Sequence, residues 1–291
     1  SSRDLIGGNR WVEENKNNPD ITKAMEKAKK AFAGTEIQKK KIGVIGLGAI
    51  GVLVANVARN LGMDVYGYDP YLSLKSAWNL SRSVHHVNSV DEIFEHCDFI
   101  SVHVPLMDTT RNMVGREGIA KMKPTATILN FARNGLVDED AVAEALQEGR
   151  LRHYVTDFPT PKVAAVDGVI AFPHLGASTE ESEENCAVMA VEQVMDYLEN
   201  GNIRNSVNFP NIDMGVCQTQ GRIAILHRNI PNMLTRFTGM FSKDGINITE
   251  MSNKTKDNYS YAIFDLDSPI EEEAVNELKA IDGVLKVRVI K

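Results

Sequence analysis

The chain contains 291 residues, is 43% hydrophobic and 24% charged, and carries a formal net charge of −7. This length and composition are typical of a globular protein with two domains. The negative charge argues against a nucleic-acid partner, because the largest basic run is only Lys39-Lys40-Lys41. No apolar run is long enough to span a membrane and no signal-peptide pattern is present, so we expect no membrane partner.

Three cysteines, Cys97, Cys186 and Cys217, are odd in number and far apart. They match neither a disulfide framework nor the spacing of a zinc site, which predicts a reducing, cytoplasmic environment and no bound metal. The sequence has no initiator methionine and opens within a helix predicted over residues 2–15, which indicates a fragment of a longer chain.

Three glycines, Gly46, Gly48 and Gly51, follow an apolar run at 42–45 and precede an apolar helix predicted over 52–61. In such a G-x-G-x-x-G turn the first glycine allows the bend, the second lets a pyrophosphate approach the backbone, and the third lets the helix lie close to the strand. The helix N-terminus offers its free N–H groups to the phosphates. The motif is weak alone, but the strand before it and the helix after it favour a dinucleotide site.

An acidic residue, Asp69, ends the next predicted strand at 64–68, about 20 residues after the last glycine. A carboxylate at this position accepts hydrogen bonds from ribose hydroxyls and repels a 2′-phosphate. No arginine follows it directly, which favours NAD over NADP as the cofactor. The alternative, a turn aspartate before Pro70, fits the glycine context less well.

Apolar strand patterns alternate with helical patterns along the first 200 residues. The further predicted strands cover 85–87, 99–105, 125–130, 151–156 and 169–172. This alternation implies right-handed βαβ crossovers and a Rossmann-like, doubly wound parallel sheet of the α/β class. His103 and Pro105 end one strand at the edge where such sheets bind ligands. By residue type alone, His103 is more readily interpreted as a structural histidine than as a catalytic one.

A long helix is predicted over 180–200 and ends at Gly201. The residues from 221 onwards follow the order βαββαβ, which predicts two helices on an antiparallel sheet and an α+β domain. The predicted parts of the chain are a helix at 1–15, a nucleotide-binding domain at 16–200, a linker at 201–220 and the α+β domain at 221–291.

Two further motifs carry a family resemblance. The first motif covers residues 130–139, Asn-Phe-Ala-Arg-Asn-Gly-Leu-Val-Asp-Glu, and the second covers residues 173–179, Pro-His-Leu-Gly-Ala-Ser-Thr. Both occur in the same chain as the glycine turn and Asp69. Together they resemble the D-isomer-specific 2-hydroxyacid dehydrogenases. The C-terminal unit looks like an ACT domain, a small amino-acid-sensing module. The resemblance covers nearly the whole chain and implies NAD-dependent hydride transfer.

The resemblance implies roles for single residues. Arg133 matches the arginine that holds the substrate carboxylate, which a planar guanidinium can do bidentately. His174 matches the general base that takes the C2 hydroxyl proton. Asp157 matches the residue beside the nicotinamide carboxamide. The positions implied to contact the cofactor are Gly46, Gly48, Ala49, Ile50, Gly51, Asp69, His103, Pro105, Phe131, Ala132, Arg133, Asp157, His174, Gly176 and Ala177.

The chain departs from the family pattern at two places. Family members usually carry a glutamate five residues after the Asp157 position, where it pairs with the catalytic histidine, but Lys162 stands there. A cation beside His174 would oppose protonation of the imidazole, so the sequence assigns no partner to His174. The family's substrate-binding domain is represented only by residues 1–15, so we expect these residues alone to bind NAD but to turn over poorly.

In the ACT-like unit, His227, Asn229 and Asn247 match positions that bind L-serine between paired ACT domains. The family's glycine after proline is Asn232 here, which weakens the prediction of a serine effector. The alternative is that the unit only joins subunits, since paired ACT edges form a continuous sheet. We expect a homo-oligomer through the nucleotide-binding domain, the ACT-like domain or both.

The resemblance implies, as the leading hypothesis, oxidation of the 2-hydroxyl of 3-phosphoglycerate, a phosphorylated 2-hydroxy acid, at the start of serine synthesis. A dehydrogenase for another small D-2-hydroxy acid is the second hypothesis, because the residues that would hold a substrate phosphate are largely absent. A non-catalytic, NAD-sensing module is the third. Arg133 and His174 argue against that module, whereas Lys162 is consistent with it.

Overall fold

The structure is a computed structural model that describes residues 2–291. The chain divides after Gly176, and Ala177–Lys291 forms the second of two compact units. A parallel sheet with helices makes up the first unit, and an antiparallel sheet with helices makes up the second. The predicted fold class is therefore confirmed.

Seven strands form the sheet of the first unit, and all their pairings are parallel. They are β1 Lys41–Ile45, β2 Asp64–Tyr68, β3 His85–His86, β4 Phe99–Val102, β5 Thr127–Asn130, β6 His153–Thr156 and β7 Val169–Ala171. Their order across the sheet is β3-β2-β1-β4-β5-β6-β7. This order is the one expected for a doubly wound dinucleotide-binding sheet, with one strand added at the end.

Eight α-helices precede or connect these strands. They are α1 Leu5–Asn15, α2 Ile21–Ala28, α3 Ala49–Asn60, α4 Leu74–Asn79, α5 Val90–His96, α6 Arg116–Lys121, α7 Glu139–Gln147 and α8 Pro161–Ala164, and a 3₁₀ turn at Lys29–Phe32 follows α2. The sequence analysis missed α4, α6 and α8. Each has six residues or fewer, which is too short for a helical period to be recognised.

Alternate residues of β1 face opposite sides of the sheet and enter two separate cores. Ile42 and Val44 lie in one core with Val52 and other residues of α3. Ile45 lies in the other core with Ile93 of α5. This double burial explains why the strand is a continuous apolar run rather than an alternating one.

The second unit has a four-stranded antiparallel sheet in the order β11-β8-β10-β9. Its elements are α9 Glu180–Asn200, β8 Gly221–Arg228, α10 Met233–Lys243, β9 Ile248–Lys256, β10 Tyr259–Leu266, α11 Glu272–Ala280 and β11 Val284–Val289. From β8 onwards the order is βαββαβ, as predicted. Phe237 and Phe241 of α10 pack with Phe264 of β10 in the core between helices and sheet.

Helix α9 belongs to the second unit, whereas the sequence analysis placed it with the nucleotide-binding domain. Its last turn is tied to β11, because Arg288 donates to the carbonyl oxygens of Tyr197 at 3.1 Å and Leu198 at 3.2 Å. The Arg288 guanidinium also lies over the Tyr197 ring, 4.1 Å from its centre. Gly201 ends the helix at φ = 76°, as predicted.

A buried ion pair fixes the segment between α9 and β8. Arg222 of β8 is fully buried and bonds the Asp265 carboxylate of β10 through two nitrogens, one of them at 2.7 Å. Its guanidinium also donates to the carbonyl oxygens of Gly215 at 2.6 Å and Asn200 at 3.1 Å. One side chain therefore contacts both Asn200, which precedes the predicted linker, and Gly215, which lies within it. Over residues 2–291, no helix combines the length and apolar character of a membrane span.

At the amino end of the first sheet, Asp98 joins β1 to the strand that follows α5. Its carboxylate accepts from the Lys41 amide at 2.9 Å and from Lys123 Nζ at 2.9 Å. Burial by itself would raise the pKa of Asp98, but these bonds outweigh it and hold the pKa below its ordinary value. A carboxyl with a lowered pKa contributes stability above its unfolded-state pKa, and that contribution is lost as the pH falls through the folded-state pKa.

We expect Asp98→Asn to lower the free energy of unfolding of the first unit by about 1–2 kcal/mol at neutral pH. The difference from the wild type should be smaller at about pH 2 than at neutral pH, because the contribution of Asp98 is lost as the pH falls through its lowered folded-state pKa. Tryptophan fluorescence in a denaturant titration measures this unit alone, because Trp11 and Trp78, the only tryptophans, both lie in it. The control is Asp91→Asn, which removes an exposed pair with Lys121 and should change little. An equal loss for Asp98→Asn at both pH values would contradict the account.

Candidate active site

The site lies along the carboxyl edge of the first sheet, the side on which all its parallel strands end. The strand order reverses between β1 and β4, the place where open α/β sheets bind ligands. Since neighbouring strands are about 4.8 Å apart, the ends of β2 through β7 form a row of roughly 24 Å. The predicted residues follow this row in the order Asp69, Gly46–Gly48, His103, Arg133, Asp157 and His174.

The three glycines of the turn have different surroundings. Gly46 has φ = 91°, which favours glycine, and a Cβ there would lie 2.6 Å from the His103 carbonyl oxygen. A Cβ on Gly51 would lie 1.9 Å from the Gly46 carbonyl oxygen. A Cβ on Gly48, in contrast, would meet nothing within 4 Å. The fold itself therefore requires Gly46 and Gly51, whereas Gly48 borders open space that a ligand can enter.

The first turn of α3 faces this space. Gly48 is the N-cap residue, and no side chain caps the helix. The N–H groups of the first turn, including those of Ala49 and Ile50, therefore remain available to an anion at the positive end of the helix dipole. Ile50 is 65% exposed, so the approach is open. This geometry fits a pyrophosphate.

Asp69 holds the glycine turn from the end of β2. One carboxylate oxygen accepts from the Leu47 amide at 2.8 Å, and the other accepts from the Tyr71 amide at 2.8 Å. An ionised carboxylate has about four acceptor sites, so it can still accept hydrogen bonds from ribose hydroxyls. Asp69 thus shapes the glycine turn, a role that the sequence analysis did not assign, and its contact with the ribose stays a prediction.

A cavity of about 370 Å³ lies beside Gly48. Its lining includes Lys75 and Ser76 of α4, which the sequence analysis did not select because it missed that helix. The complete lining is Gly48, Ala49, Val52, Leu53, Asn56, Lys75, Ser76 and Asn79. Lys75 adds a cation to the lining of the cavity that Gly48 borders.

His103, at the end of β4, has a hydrogen-bond partner within the protein. Its Nε2 lies 2.8 Å from Ser101 Oγ, and burial lowers its pKa, which keeps the imidazole neutral. Its backbone carbonyl packs against Gly46. This arrangement agrees with a structural histidine beside the cofactor path. A direct contact between the cofactor and His103 or the exposed Pro105 stays a prediction.

The turn after β5 presents Arg133, and the buried Asn130 shapes that turn. Asn130 Nδ2 donates to the Arg133 carbonyl oxygen at 2.9 Å, and Oδ1 accepts from the Ala132 amide at 3.2 Å. Among residues 2–291, the exposed Arg133 guanidinium donates one hydrogen bond, to the Ala132 carbonyl oxygen at 2.7 Å. Its other donors are available to an anion. Phe131 is 44% exposed in the same turn.

His174, three residues beyond β7, is held by a carboxylate at the end of β6. Its Nδ1 lies 2.9 Å from Asp157 Oδ2, and its ring tilts against Phe158 with 4.5 Å between ring centres. The sequence analysis assigned no partner to His174 and gave Asp157 only a contact with the cofactor. The neighbouring parallel strands β6 and β7 place these residues side by side. The pairing could have been predicted from the sequence, because each residue follows the end of a predicted strand. Such a charge-assisted bond is worth about 1.5–3 kcal/mol.

Lys162 does not face His174. Its Nζ lies 2.6 Å from Asp140 Oδ1, and that hydrogen bond is the main reason that the pKa of Lys162 is raised. Lys162 sits in α8, the short helix that Pro161 begins. Lys162 is therefore paired with an acid other than Asp157.

The remaining predicted residues are not all brought together. Gly176 is exposed with open space around it, and Ala177 begins the second unit. In the second unit, Leu266 of β10 pairs with Gly221, the first residue of β8, on one side and with Ile248, the first residue of β9, on the other. Asn247 therefore lies at the end of the sheet where β8 begins, whereas His227 and Asn229 lie at the opposite end. His227 is buried, with its ring nitrogens near Arg228 and Asn253. One chain thus cannot gather the three residues around one ligand, and the serine site stays a prediction.

The glycine turn predicts a contrast between two alanine variants. Gly48→Ala should leave the free energy of unfolding within about 0.5 kcal/mol of the wild type, because its Cβ enters open space. It should nevertheless weaken NAD binding by about tenfold or more, since that Cβ stands where the pyrophosphate would lie. Gly51→Ala should destabilise the unit by about 1–3 kcal/mol, because its Cβ meets a backbone oxygen. Calorimetry with NAD and denaturant titration measure both effects. Unchanged NAD affinity in Gly48→Ala would contradict this site.

Comparison with known proteins assigns the first unit. Residues 1–176 match the family described as "D-isomer specific 2-hydroxyacid dehydrogenase, NAD binding domain". A D-3-phosphoglycerate dehydrogenase of Haemophilus influenzae is 32% identical over 273 residues, which are 90% of this chain and 65% of that protein. One of Methanocaldococcus jannaschii is 41% identical over 206 residues, 68% of this chain and 39% of that protein. The chain thus spans less than two thirds of the length of these relatives.

A solved structure gives the same assignment. The cofactor (NAD⁺)-bound 3-phosphoglycerate dehydrogenase of Entamoeba histolytica has a TM-score of 0.53 and 32% identity, over 60% of this chain and 57% of that one. The open space at Gly48 and the acceptor at Asp69 fit the same cofactor. NAD is therefore the cofactor of the first unit, and the chain belongs to the D-isomer specific 2-hydroxyacid dehydrogenase family.

Proposed function

We propose that this chain supplies the cofactor-binding and proton-transfer parts of an NAD-dependent dehydrogenase that oxidises the 2-hydroxyl of 3-phosphoglycerate. The observation that carries the proposal is the His174–Asp157 bond of 2.9 Å at the end of the row of strands. It orients an imidazole two strands away from the turn that presents Arg133, on the same edge of the sheet. When bound, NAD accepts the hydride from C2 of the substrate.

The carboxylate of Asp157 determines which imidazole nitrogen can act as a base. An ionised carboxylate only accepts hydrogen bonds, so Nδ1 of His174 carries the proton in the 2.9 Å bond. Nε2 of the neutral ring then has the free lone pair. Because the side chain is 56% exposed, Nε2 can face a substrate hydroxyl and take its proton. The imidazolium that results is stabilised by the same carboxylate.

Arg133 is suited to hold the substrate carboxylate. Asn130 fixes the backbone of its turn, and most of the guanidinium donors are unused. A bidentate pair would fix the carboxylate and hence C2 and its hydroxyl. The ends of β5 and β7 are separated by two strand spacings, roughly 10 Å, so a small hydroxy acid can lie between the turn and the imidazole.

The choice of 3-phosphoglycerate rests on the relatives of this chain, which are D-3-phosphoglycerate dehydrogenases. A substrate panel on the full-length protein tests it. The proposal predicts that kcat/KM for 3-phosphoglycerate exceeds that for D-glycerate and D-lactate. A preference for an unphosphorylated acid would support the alternative, a dehydrogenase for another small D-2-hydroxy acid.

We expect His174→Asn to lower kcat by about 10²–10⁴-fold, because the proton acceptor is lost. NAD affinity, measured by calorimetry, should stay close to the wild type. Formation of reduced nicotinamide, followed by absorbance, gives kcat. His86→Asn, on the exposed strand β3, is the matched control and should be fully active. Unchanged turnover in His174→Asn would rule out the catalytic proposal and favour the NAD-sensing module.

Arg133→Ala should lower kcat/KM by about 10- to 100-fold, mostly through KM for the acid. Arg133→Lys should recover only part of this loss, because an ammonium cannot bind a carboxylate bidentately. Steady-state kinetics over a range of substrate concentrations separates kcat from KM. A normal KM in Arg133→Ala would show that another group holds the carboxylate.

A further inference from the structure

A cavity of about 460 Å³ lies within the second unit. Its lining comes from α9, the segment that follows α9 and the strands β8, β10 and β11. The predicted serine positions His227, Asn229 and Asn247 are not part of that lining. The volume falls within the range of small-molecule sites, so this cavity can hold a ligand that the sequence analysis did not consider.

The cavity lies on the face of the sheet that α10 and α11 do not cover. Along β8, Ile223 and Ile225 pack with these two helices, whereas Ala224 and Leu226 belong to the core on the opposite face. Ala224 and Leu226 both line the cavity, and the short side chain of Ala224 leaves space beside it. The floor of the cavity is therefore apolar and part of the sheet.

The strand register brings two cations to this apolar floor. Leu226 pairs with Tyr261 of β10 on one side and with Lys286 of β11 on the other, and Ala224 pairs with Arg288 of β11. Residues that lie opposite each other in an antiparallel pair share a face of the sheet. Strand β11 therefore presents a lysine and an arginine to the cavity.

Helix α9 supplies a second apolar wall. Ala190, Val194 and Tyr197 have the i, i+4, i+7 spacing of one helix face, and all three line the cavity. Val194 is nevertheless 55% exposed, although it lies on the face of the helix that borders the sheet. Apolar side chains of the helix and of the sheet thus border the same space, which the protein does not fill.

The charge of the lining selects the class of ligand. Three cations, Arg204, Lys286 and Arg288, line the cavity, and its lining contains no aspartate or glutamate. Arg204 is paired with Asp213 at 2.7 Å, whereas no acid of residues 2–291 pairs with Lys286 or Arg288. The lining thus offers no partner of opposite charge to the ammonium group of an amino acid. A carboxylate, in contrast, finds two cations whose charge is not neutralised by an acid.

We propose that this cavity is a binding site for a small aromatic carboxylate. Lys286 binds the carboxylate, and the apolar floor of Ala224 and Leu226 takes the ring system. Aromatic rings of the lining, those of Phe209 and Tyr261, favour a flat ligand over an acyl chain. The proposal concerns the second unit alone and does not depend on the proposed dehydrogenase reaction.

The test compares 2-naphthoate with its uncharged amide, 2-naphthamide, by calorimetry on the whole chain. The wild type should bind the carboxylate at least about tenfold more tightly than the amide, because only the carboxylate can pair with Lys286. Lys286→Met keeps an apolar side chain of similar length and should weaken binding of the carboxylate about tenfold, with little effect on the amide. Lys279→Met, on α11 at the other face of the sheet, is the matched control and should bind both probes like the wild type.

A second variant tests the apolar floor. Ala224→Leu places a larger side chain in the cavity and should weaken binding of both probes by about tenfold or more. If this variant does not fold, Lys286→Met decides, because Lys286 is exposed and its replacement leaves the core intact. Equal affinity of the wild type for the two probes, or no binding of 2-naphthoate at about 1 mM, would overturn the proposal. Displacement of 2-naphthoate by NAD would place the probe in the first unit and would also overturn it.

Discussion

The close approach of two backbone segments at the first crossover is the constraint on which the rest of the site depends. Gly51, in the first turn of α3, can lie against the Gly46 carbonyl oxygen only because Gly51 has no Cβ, and Gly46 can lie against the His103 carbonyl oxygen only because it has none. That approach directs the N-terminus of α3 at the reversal point of the strand order. Asp69 fixes the turn through the Leu47 amide and marks the adenosine end of the row. Every later residue of the site is positioned relative to this turn by the spacing of parallel strands.

The site is best understood as a row of unsatisfied donors and acceptors on a rigid edge. The first turn of α3 offers N–H donors, Arg133 offers guanidinium donors, and Asp157 offers one buried acceptor. Each is complementary to a different part of a dinucleotide or hydroxy acid. Other polar groups near this edge already have partners within the protein. Lys162 is paired with Asp140, and the neutral His103 is hydrogen-bonded to Ser101. We therefore expect the edge to bind anions and amides at defined places, while the carboxylate of Asp157 orients the imidazole of His174 through the Oδ2–Nδ1 bond.

Much of this could be predicted from the sequence, because the strongest signals are local. The parallel fold of the first unit was predicted from the glycine spacing, the acid after the second strand and the alternation of strands and helices. The antiparallel fold of the second unit was predicted from the order βαββαβ. The His174–Asp157 bond was missed because it joins residues on neighbouring strands, and the family pattern directed attention to Lys162. The short helix α4, with Lys75, has too few turns to show a period. The place of α9 depends on Arg288, which is 90 residues away along the chain.

The most direct test of the account is a crystal structure of the protein with NAD bound. The account predicts the pyrophosphate within about 3 Å of the amides of the first turn of α3. It also predicts the adenosine ribose at Asp69 and the carboxamide at Asp157, with the reactive ring facing His174. Density for the dinucleotide elsewhere, or a nicotinamide ring turned away from His174 and Asp157, would contradict it.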